Sequence, residues 1–353
     1  MGDADGKLRL SIVIPTLGRP ILIRTLESLA VASGFDDCEV LVAGVVREGP
    51  VLEQFRKLAA CFPQIRHLPV SFEKGDSSEK KNAGFRASRA DIVAFLDDDV
   101  VVAADWPLRI VEPFARPEVG LVSGPSLVPS DIGPLAHLAG VALASKAAGY
   151  VSERYLKGHP EPRRIGWSRI IGCNMAYRRS VLEALGGFDP AFWPGEEMIA
   201  AYRAEKKGCV LMFHAEAFVY HYPRESVGRF WKQVYGYGAT RVRLLRAGVA
   251  FELTPLVPAA WVLSLLVLGV GSLFWKACLA LLALEMALYG LVDLWITFTK
   301  FRDTRRPMDL LLFFLVPVMH LSYGLGEWIE FLRPNKDLSE KPAAGPGPEA
   351  GRA

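Results

Sequence analysis

The chain has 353 residues, of which 51% are hydrophobic, and its mean hydropathy is positive. This length suffices for one large domain and an additional part, and the apolar content predicts that the additional part lies in a membrane. The net charge of +3 is the small difference between 41 basic and 38 acidic residues, so the overall charge gives no reason to expect nucleic acid as a partner.

The first third of the chain alternates short β-rich apolar runs with helical stretches, which is the pattern of βαβ units around a parallel sheet. The N-terminal ten residues contain charges and no apolar run of signal-peptide length, so we expect this domain to remain in the cytoplasm. The predicted strands are residues 10–14, 39–45, 65–69, 92–96 and 120–124. The predicted helices are residues 20–31, 78–88 and 106–115. These elements predict an α/β core.

The alternation weakens after Pro125. Residues 134–150 are small and mostly apolar, and residues 157–169 are basic and contain prolines, which is typical of loops or surface helices that shape a cleft. The elements predicted after them are a strand over 170–177, helices over 180–185 and 196–207, and strand character over 210–220.

Three apolar segments follow, each with roughly the 20 residues that cross a bilayer as a helix. They are residues 253–274, 277–299 and 308–332. Basic residues precede the first segment and fill the loop between the second and third, whereas the first turn carries only Lys276. By the positive-inside rule, both basic flanks and the α/β domain then lie in the cytoplasm. The third segment contains His320, Glu327 and Glu330, so it either crosses the membrane or dips into it.

These features predict three units in the chain. They are a cytoplasmic α/β domain over residues 1–252, which includes an interfacial helix at about 226–246, a transmembrane region over 253–333, and a flexible tail over 334–353.

The stretch DIVAFLDDDV, residues 91–100, places Asp97, Asp98 and Asp99 directly after an apolar strand. Ligands of open α/β sheets bind outside the carboxyl ends of the strands. Alternate acids such as Asp97 and Asp99 can surround one hard cation, and Mg²⁺ or Mn²⁺ bound in this way completes its shell with waters and phosphates. A solvated turn after the strand is the alternative interpretation.

Three stretches together resemble the inverting family 2 glycosyltransferases with a GT-A fold: residues 10–15, residues 81–84 and the three aspartates. The resemblance covers about residues 7–246, and the apolar tail is similar to that of members that build bacterial exopolysaccharide or lipid-linked glycans. It implies a Rossmann-like, mostly parallel catalytic domain of the hexosyltransferase type, on the cytoplasmic side of a bacterial-type inner membrane. It also implies that Pro15 and Thr16 line the nucleotide, that Asp97 and Asp98 contact the donor, and that Asp99, with Asp97, binds the metal.

Lys81 and Asn82 lie at a predicted helix N-terminus, where free backbone N–H groups favour anions. A similar Asn-x-Gly in the family lies beside the nucleotide, so the resemblance assigns both residues to donor binding. The alternative is an ordinary helix start without a ligand.

Glu196 and Glu197 follow Gly195 and begin the helix EEMIAAYRAEKKG. The family has Glu-Asp here, and its second acid is the general base that takes the proton of the acceptor hydroxyl. The resemblance therefore assigns Glu197 as the base, although its extra methylene shifts the acceptor relative to an aspartate. The alternative is that both acids only stabilise the helix N-terminus.

His221, Gln233 and Tyr237 resemble the family's loop and interface helix on the acceptor and diphosphate side. The QxxRW signature of processive synthases is incomplete, because Gly236 and Tyr237 stand where Arg and Trp are expected, which argues against a long-chain polymerase. The basic residues of this stretch also suit a helix that lies on an anionic membrane surface and only anchors the protein.

The sequence departs from the family at the end of the second strand, where residues 43–45 contain no acid to bind the nucleotide base. Asp76 and Glu48 are the alternatives, and the base stays unassigned. We expect transfer of one sugar from a nucleotide diphosphate sugar to a polyprenyl-linked or other membrane-proximal acceptor. A non-catalytic nucleotide-binding scaffold is the competing interpretation. A nucleotidyltransferase is disfavoured because only a single glycine follows Pro15 in the loop after the first strand. A transporter is disfavoured by the small number of predicted spans. The sequence does not predict the oligomeric state.

Overall fold

The computed structural model of the protein describes residues 8–70, 77–192, 194–249 and 253–334. The strands are β1 Leu10–Thr16, β2 Cys38–Gly44, β3 Ile65–Pro69, β4 Ile92–Leu96, β5 Val100–Val102, β6 Val119–Ser123, β7 Ser126–Leu127, β8 Arg163–Arg164, β9 Asn174–Arg178, β10 Val210–Phe213 and β11 Val219–His221. The helices are α1 Ile21–Ala30, α2 Pro50–Cys61, α3 Ser77–Ala87, α4 Trp106–Val111, α5 Pro134–Leu143, α6 Arg179–Leu185, α7 Glu196–Lys206, α8 Val227–Arg246, α9 Val257–Gly271, α10 Lys276–Thr304 and α11 Leu312–Leu332.

The central sheet has eight strands in the order β3-β2-β1-β4-β9-β6-β10-β8. The pairs β1–β2, β1–β4, β2–β3 and β6–β10 are parallel, whereas β9 runs antiparallel to both of its neighbours and β8 runs antiparallel to β10. A small second sheet has the order β5-β11-β7. The predicted α/β fold with a mostly parallel sheet is therefore confirmed.

The inner strands are buried along their whole length because helices cover both faces of the sheet. On one face, Leu22 and Leu26 of α1 pack with Trp106 of α4. On the other face, α3 lies so close to β1 that a Cβ added at Gly84 would overlap the Val13 side chain. This close approach holds the start of α3 beside the carboxyl ends of β1 and β4.

All five strands predicted in the first third of the chain are present, with ends shifted by at most two residues. Two other predicted strands need correction, and one helix was missed. The strand expected over 170–177 begins only at Asn174, because a short 3₁₀ helix, Trp167–Arg169, precedes it. The stretch 210–220 is divided between two sheets as β10 and β11, and α2 was not predicted at all.

The stretch 134–150, expected as loops or surface helices, begins with α5, which is buried from Ala136 to Leu143. This helix is apolar on all sides, which is typical of a core helix. It packs against Phe230 of α8 and against Leu315 and Val316 of α11. The sequence segment that we expected at the surface thus joins the α/β domain to the apolar helices.

Three helical segments are long and apolar enough to cross a membrane: Thr254–Gly271, Lys276–Thr304 and Pro307–Leu332. The third is the most buried, because α11 packs along α8. A Cβ added at Gly238 would overlap the Tyr323 carbonyl, and one at Gly326 would overlap the Tyr235 carbonyl, so the glycines permit close contact of the two backbones. The acids of α11 face this contact: Glu327 is buried, and Glu330 lies 3.5 Å from Arg243. The boundaries of the three predicted units stay a prediction.

Candidate active site

The three aspartates follow β4 at the carboxyl edge of the sheet, beside the end of β1. Thr16 donates a hydrogen bond of 2.6 Å to Asp98 Oδ2, and Thr25 donates one of 3.1 Å to the Asp98 carbonyl. Arg19 binds the Asp98 carboxylate and also lies 3.0 Å from Asp99 Oδ2. Asp98 therefore connects β4 with the loop that follows β1, and its carboxylate is already partnered.

Asp97 and Asp99 point to the same place as His221, and the three side chains offer ligand atoms that lie within 4.8 Å of one another. His221 reaches this position because β11 pairs with β5, which places His221 opposite Val100. Its Nε2 lies 3.0 Å from Asp99 Oδ1. Two carboxylates and an imidazole that converge in this way fit a divalent cation.

The charged groups of this cluster shift one another's pKa values. Burial and the neighbouring Asp99 raise the pKa of Asp97. Burial alone would also raise the pKa of Asp99, but His221 and Arg19 outweigh it and hold that pKa well below its usual range. Burial would lower the pKa of His221, whereas Asp99 raises it above its ordinary value. A cation between the two carboxylates would relieve their mutual repulsion.

Glu196 begins α7 and forms an ion pair with Lys81 of α3, at 2.9 Å, with both residues only 2% exposed. Ser77 donates a hydrogen bond of 2.6 Å to Glu196 Oε1, and the Gly195 N–H donates one of 3.1 Å to Oε2. Burial would raise the pKa of Glu196, but Lys81 outweighs it and holds the pKa below its ordinary value. Glu196 is thus a fully partnered anion that fixes the start of α7.

The adjacent Glu197 reaches into the cavity that the aspartates border. A Cβ added at Gly172 would lie 3.2 Å from Glu197 Cδ, so the glycine leaves space for this side chain. Burial and the charge of Glu196 raise the pKa of Glu197 from 4.5 to about 7, against the attraction of Lys81. A carboxyl group with this pKa accepts and releases a proton readily near neutral pH.

Asn82, which the resemblance assigned to the donor, has both amide atoms in use elsewhere. Its Nδ2 donates a hydrogen bond of 2.7 Å to the Phe188 carbonyl, and its Oδ1 accepts one of 2.8 Å from the Phe188 N–H. These bonds fix the turn in which Gly186 and Gly187 both adopt positive φ, upstream of the two glutamates. Asn82 is not among the residues that line the cavity in the described part of the chain.

Apart from Asp99, the remaining predicted residues border one cavity of about 1150 Å³, which extends from Pro15 and Thr16 to the apolar helices. Gln233 and Tyr237 of α8 lie in its wall, and Gln233 Nε2 donates a hydrogen bond of 3.0 Å to Tyr237 Oη. The far wall contains Trp261 of α9. The cavity therefore connects the aspartates and Glu197 with the apolar helices.

The family described as "Glycosyltransferase like family 2" matches residues 8–235. The chain belongs to this family.

Several relatives are named as glycosyltransferases, and some of them as proteins of O-antigen synthesis. The O-antigen chain rhamnosyltransferase WbaN of Salmonella anatum is 31% identical over 170 residues, which cover 46% of this chain and 51% of the relative. The pre-mycofactocin glycosyltransferase of Mycobacterium tuberculosis is 29% identical over 225 residues, which cover 61% of this chain and 45% of the relative. The chain thus spans about half the length of these curated relatives or less.

A solved structure shares the fold. The mannosyltransferase PcManGT from Pyrobaculum calidifontis, determined in complex with GDP-Man and Mn²⁺, superposes with a TM-score of 0.61 at 17% identity. The match covers 92% of this chain and 88% of the mannosyltransferase. The GT-A fold of this family 2 member is therefore shown.

Sequence reasoning missed two cationic residues of the family 2 site. Arg19 follows Gly18, whose positive φ turns the loop after β1 back towards the aspartates. Arg154 lies in the 3₁₀ helix Lys146–Tyr155, lines the cavity and donates to the Ser168 carbonyl. Arg19 was detectable, because the loops after β1 and β4 meet at one edge of the sheet. Arg154 lies in a segment without a regular pattern.

The alternatives for base recognition have different outcomes. Glu48 is exposed and lies 3.5 Å from Arg56. Asp76 lies outside the described residues. At the end of β2, a Cβ added at Gly44 would overlap the Thr16 carbonyl, so this position accommodates only glycine and offers no side chain to a base.

Proposed function

We propose that this protein transfers one sugar from a nucleotide diphosphate sugar to an acceptor hydroxyl, with inversion at the anomeric carbon and with the help of a divalent cation. One observation carries the proposal: Asp97 and His221 of a cation-type cluster, and a separate carboxyl group with a pKa of about 7, line the same cavity. The names of the relatives, which are glycosyltransferases, support it.

Asp97, Asp99 and His221 would hold the cation, and the His221 nitrogen favours Mn²⁺ over Mg²⁺, because Mg²⁺ takes oxygen ligands. When bound, the cation neutralises the charge that develops on the departing nucleotide diphosphate. Arg19, which contacts Asp99, and Arg224 both act on the charge of Asp99 and add positive charge to this part of the site.

Glu197 acts on the acceptor side. As a carboxylate it takes the proton of the acceptor hydroxyl, while that oxygen forms a bond to the anomeric carbon and the bond to the diphosphate oxygen breaks. The Lys81–Glu196 pair holds the start of α7 and so orients Glu197. Inversion follows because a single displacement occurs without a covalent intermediate.

We further propose that the protein is a multi-pass protein of a bacterial-type inner membrane with its active site on the cytoplasmic side. Four basic residues support this orientation: Lys300 and Arg302 in the C-terminal part of α10, and Arg305 and Arg306 directly after it. The cavity reaches the apolar helices, which supports a lipid-linked acceptor. A scaffold without catalysis is disfavoured, because it would gain nothing from a carboxyl group with a pKa of about 7 beside a cation-type cluster.

The test uses full-length protein in lipid nanodiscs. Thermal-shift measurements with GDP, UDP, dTDP and CDP, each with and without Mn²⁺, identify the nucleotide, because only a bound ligand raises the midpoint. The matching labelled nucleotide sugars are then incubated with membranes of cells that express the protein. We expect label in the glycolipid fraction with wild type and loss of that label in Asp99→Asn and Glu197→Gln. Label transfer by Glu197→Gln at the wild-type rate would overturn the assignment of Glu197 as the base, and wild-type label no higher than that of membranes without the protein would overturn the proposal in favour of the scaffold.

A further inference from the structure

Asn174 is the first residue of β9, and its side chain is buried. In the register of β9 with β4 it stands opposite Leu96, the residue before Asp97. The strands of the small sheet begin and end around it, and the last residue of β11 in that sheet is His221. Asn174 therefore lies where the central sheet, which carries the aspartates, meets the small sheet, which carries the histidine.

The side-chain amide of Asn174 is bonded to chain segments next to all three strands of the small sheet. Its Nδ2 donates a hydrogen bond of 2.7 Å to the Ala217 carbonyl, just before β11, and one of 3.3 Å to the Pro125 carbonyl, directly before β7. Its Oδ1 accepts a hydrogen bond of 2.9 Å from Trp106 Nε1 at the start of α4, the helix that follows β5. One amide thus joins β5, β7 and β11 to the central sheet.

The small sheet depends on such contacts because it is short. Its strands β5, β7 and β11 have three, two and three residues. Few ladder bonds hold a sheet of this size, so its position is set by its packing on the rest of the domain. The contact at Asn174 is also tight, since a Cβ added at Gly124 would overlap the Ala217 carbonyl and lie 2.8 Å from Asn174 Nδ2.

The three partners determine which way the amide is turned. The indole N–H of Trp106 is a donor, and the two carbonyls are acceptors, so the amide oxygen faces the indole and the nitrogen faces the carbonyls. A carboxylate has the same size but no donor, so at this position it would repel the Ala217 carbonyl. The segment that leads into β11 would then move away from the central sheet.

We propose that Asn174 is a positioning residue of the cation cluster: its bonds to Ala217 and Pro125 hold β11 where His221 meets the two aspartates. This inference rests on the proposed function, because it concerns the cation that we place at this cluster. Asn174 acts through His221 and not as a ligand, so loss of its donors weakens the cation site by moving the imidazole.

Binding of Mn²⁺ without nucleotide tests the inference independently of catalysis. Full-length protein in nanodiscs is titrated with Mn²⁺, the free ion is measured by EPR, and nitrogen modulation in pulsed EPR of the bound ion reports an imidazole ligand. We expect Asn174→Asp to bind Mn²⁺ about tenfold more weakly and to lose the nitrogen signal, as His221→Ala does. An added carboxylate would by its charge alone strengthen cation binding, so weaker binding reports the displaced histidine.

Asn82→Asp is the matched control. It makes the same chemical change at another buried asparagine whose Nδ2 donates to a carbonyl, that of Phe188 in the turn before the two glutamates. We expect both variants to lose stability, but Asn82→Asp to keep the nitrogen signal and a Mn²⁺ affinity within about twofold of wild type. Wild-type affinity and nitrogen signal in folded Asn174→Asp would overturn the inference.

Trp106→Phe replaces Asn174→Asp if the latter does not fold. It keeps an aromatic ring and removes the indole donor that fixes the orientation of the amide. We expect Mn²⁺ binding about threefold weaker than in wild type and a reduced nitrogen signal. Unchanged affinity and signal in this variant would overturn the inference equally.

A double-mutant cycle separates this inference from the proposed function. In the His221→Ala background, Asn174→Asp should change Mn²⁺ affinity by less than about twofold, because the residue through which it acts is gone. A second loss of about tenfold in that background would show that Asn174 acts elsewhere, and would overturn the inference while the cation site stands. Saturable binding without a nitrogen signal in wild type would likewise overturn it. Absence of saturable Mn²⁺ binding by wild type would refute the cation of the proposed function, and this inference with it.

Discussion

In the proposed reaction Glu197 would act only as a carboxylate, so the pH dependence of transfer would report the pKa that its surroundings give it. With a pKa of about 7, the ionised fraction is ~0.1 at pH 6, ~0.5 at pH 7 and ~0.9 at pH 8. We therefore expect transfer to be about tenfold slower at pH 6 than at pH 8. An exposed glutamate with an ordinary pKa would give a nearly constant rate over this range.

The assay is the initial rate of label transfer in nanodiscs between pH 5.5 and 8.5, at constant ionic strength and with saturating donor and Mn²⁺. Saturation matters because His221 also titrates and changes metal binding. A rate that is already maximal at pH 5.5 would refute the reasoning, since Glu197 would then be ionised throughout.

Two substitutions check the cause of the shift. The double variant Lys81→Met, Glu196→Gln removes both charges beside Glu197. Because the repulsion by Glu196 is larger than the attraction by Lys81, the pKa of Glu197 is expected to fall. The rise of the transfer rate with pH then occurs at lower pH. If the rise of the rate stays at the same pH or occurs at higher pH, the repulsion by Glu196 does not raise the pKa of Glu197, and burial is its cause.

The same carboxyl group lowers stability at alkaline pH. A folded-state pKa of about 7 against 4.5 when unfolded means that the folded protein loses stability as the pH rises between these values. The cost at pH 8 is at most on the order of 3 kcal/mol. Glu197→Gln is thus expected to raise the unfolding midpoint at pH 8 and to leave it nearly unchanged at pH 5, measured by differential scanning fluorimetry. An equal effect at both pH values would point to packing instead of charge.

Three further predictions concern the metal cluster, the buried ion pair and the helix contact. Asp99→Asn should abolish the Mn²⁺-dependent thermal shift while the protein stays in the membrane fraction, and a retained shift would argue against the cluster. Lys81→Met alone should destabilise the protein by about 3–5 kcal/mol, because it leaves Glu196 buried and unpaired, and adding Glu196→Gln should restore most of this loss in denaturant titrations. Gly238→Ala should lower the midpoint through its overlap with Tyr323, whereas Gly236→Ala, with Pro194 Cγ 3.9 Å away, should not.

The fold and half of the site could be predicted because they depend on local patterns. Buried strands in parallel sheets are continuous apolar runs, and β4 ends where the aspartates begin, so the run itself located the carboxyl edge of the sheet. The glycine followed by two acids located the start of α7, whereas the role of Glu197 as the base was assigned from the family resemblance and stays a prediction.

The other half depends on contacts between residues far apart in the chain. Asn82 stands at the expected position, but its amide is bound to Phe188, and no local pattern indicates which way such a side chain turns. His221 joins the two aspartates only because β11 pairs with β5. The burial of α5 likewise follows from its packing on α8 and α11. Its apolar composition already indicated a buried helix, but we expected loops or surface helices there.

Arg19 has a consequence for the order in which ligands bind. Its guanidinium, with the side chain 44% exposed, already pairs with both Asp98 and Asp99. In the proposed reaction, a divalent ion that arrives alone would compete with this internal cation, whereas an ion that arrives with a diphosphate would offer the guanidinium a new anionic partner. Each ligand would then strengthen the binding of the other by the same factor, and the arginine would couple the cation to the donor.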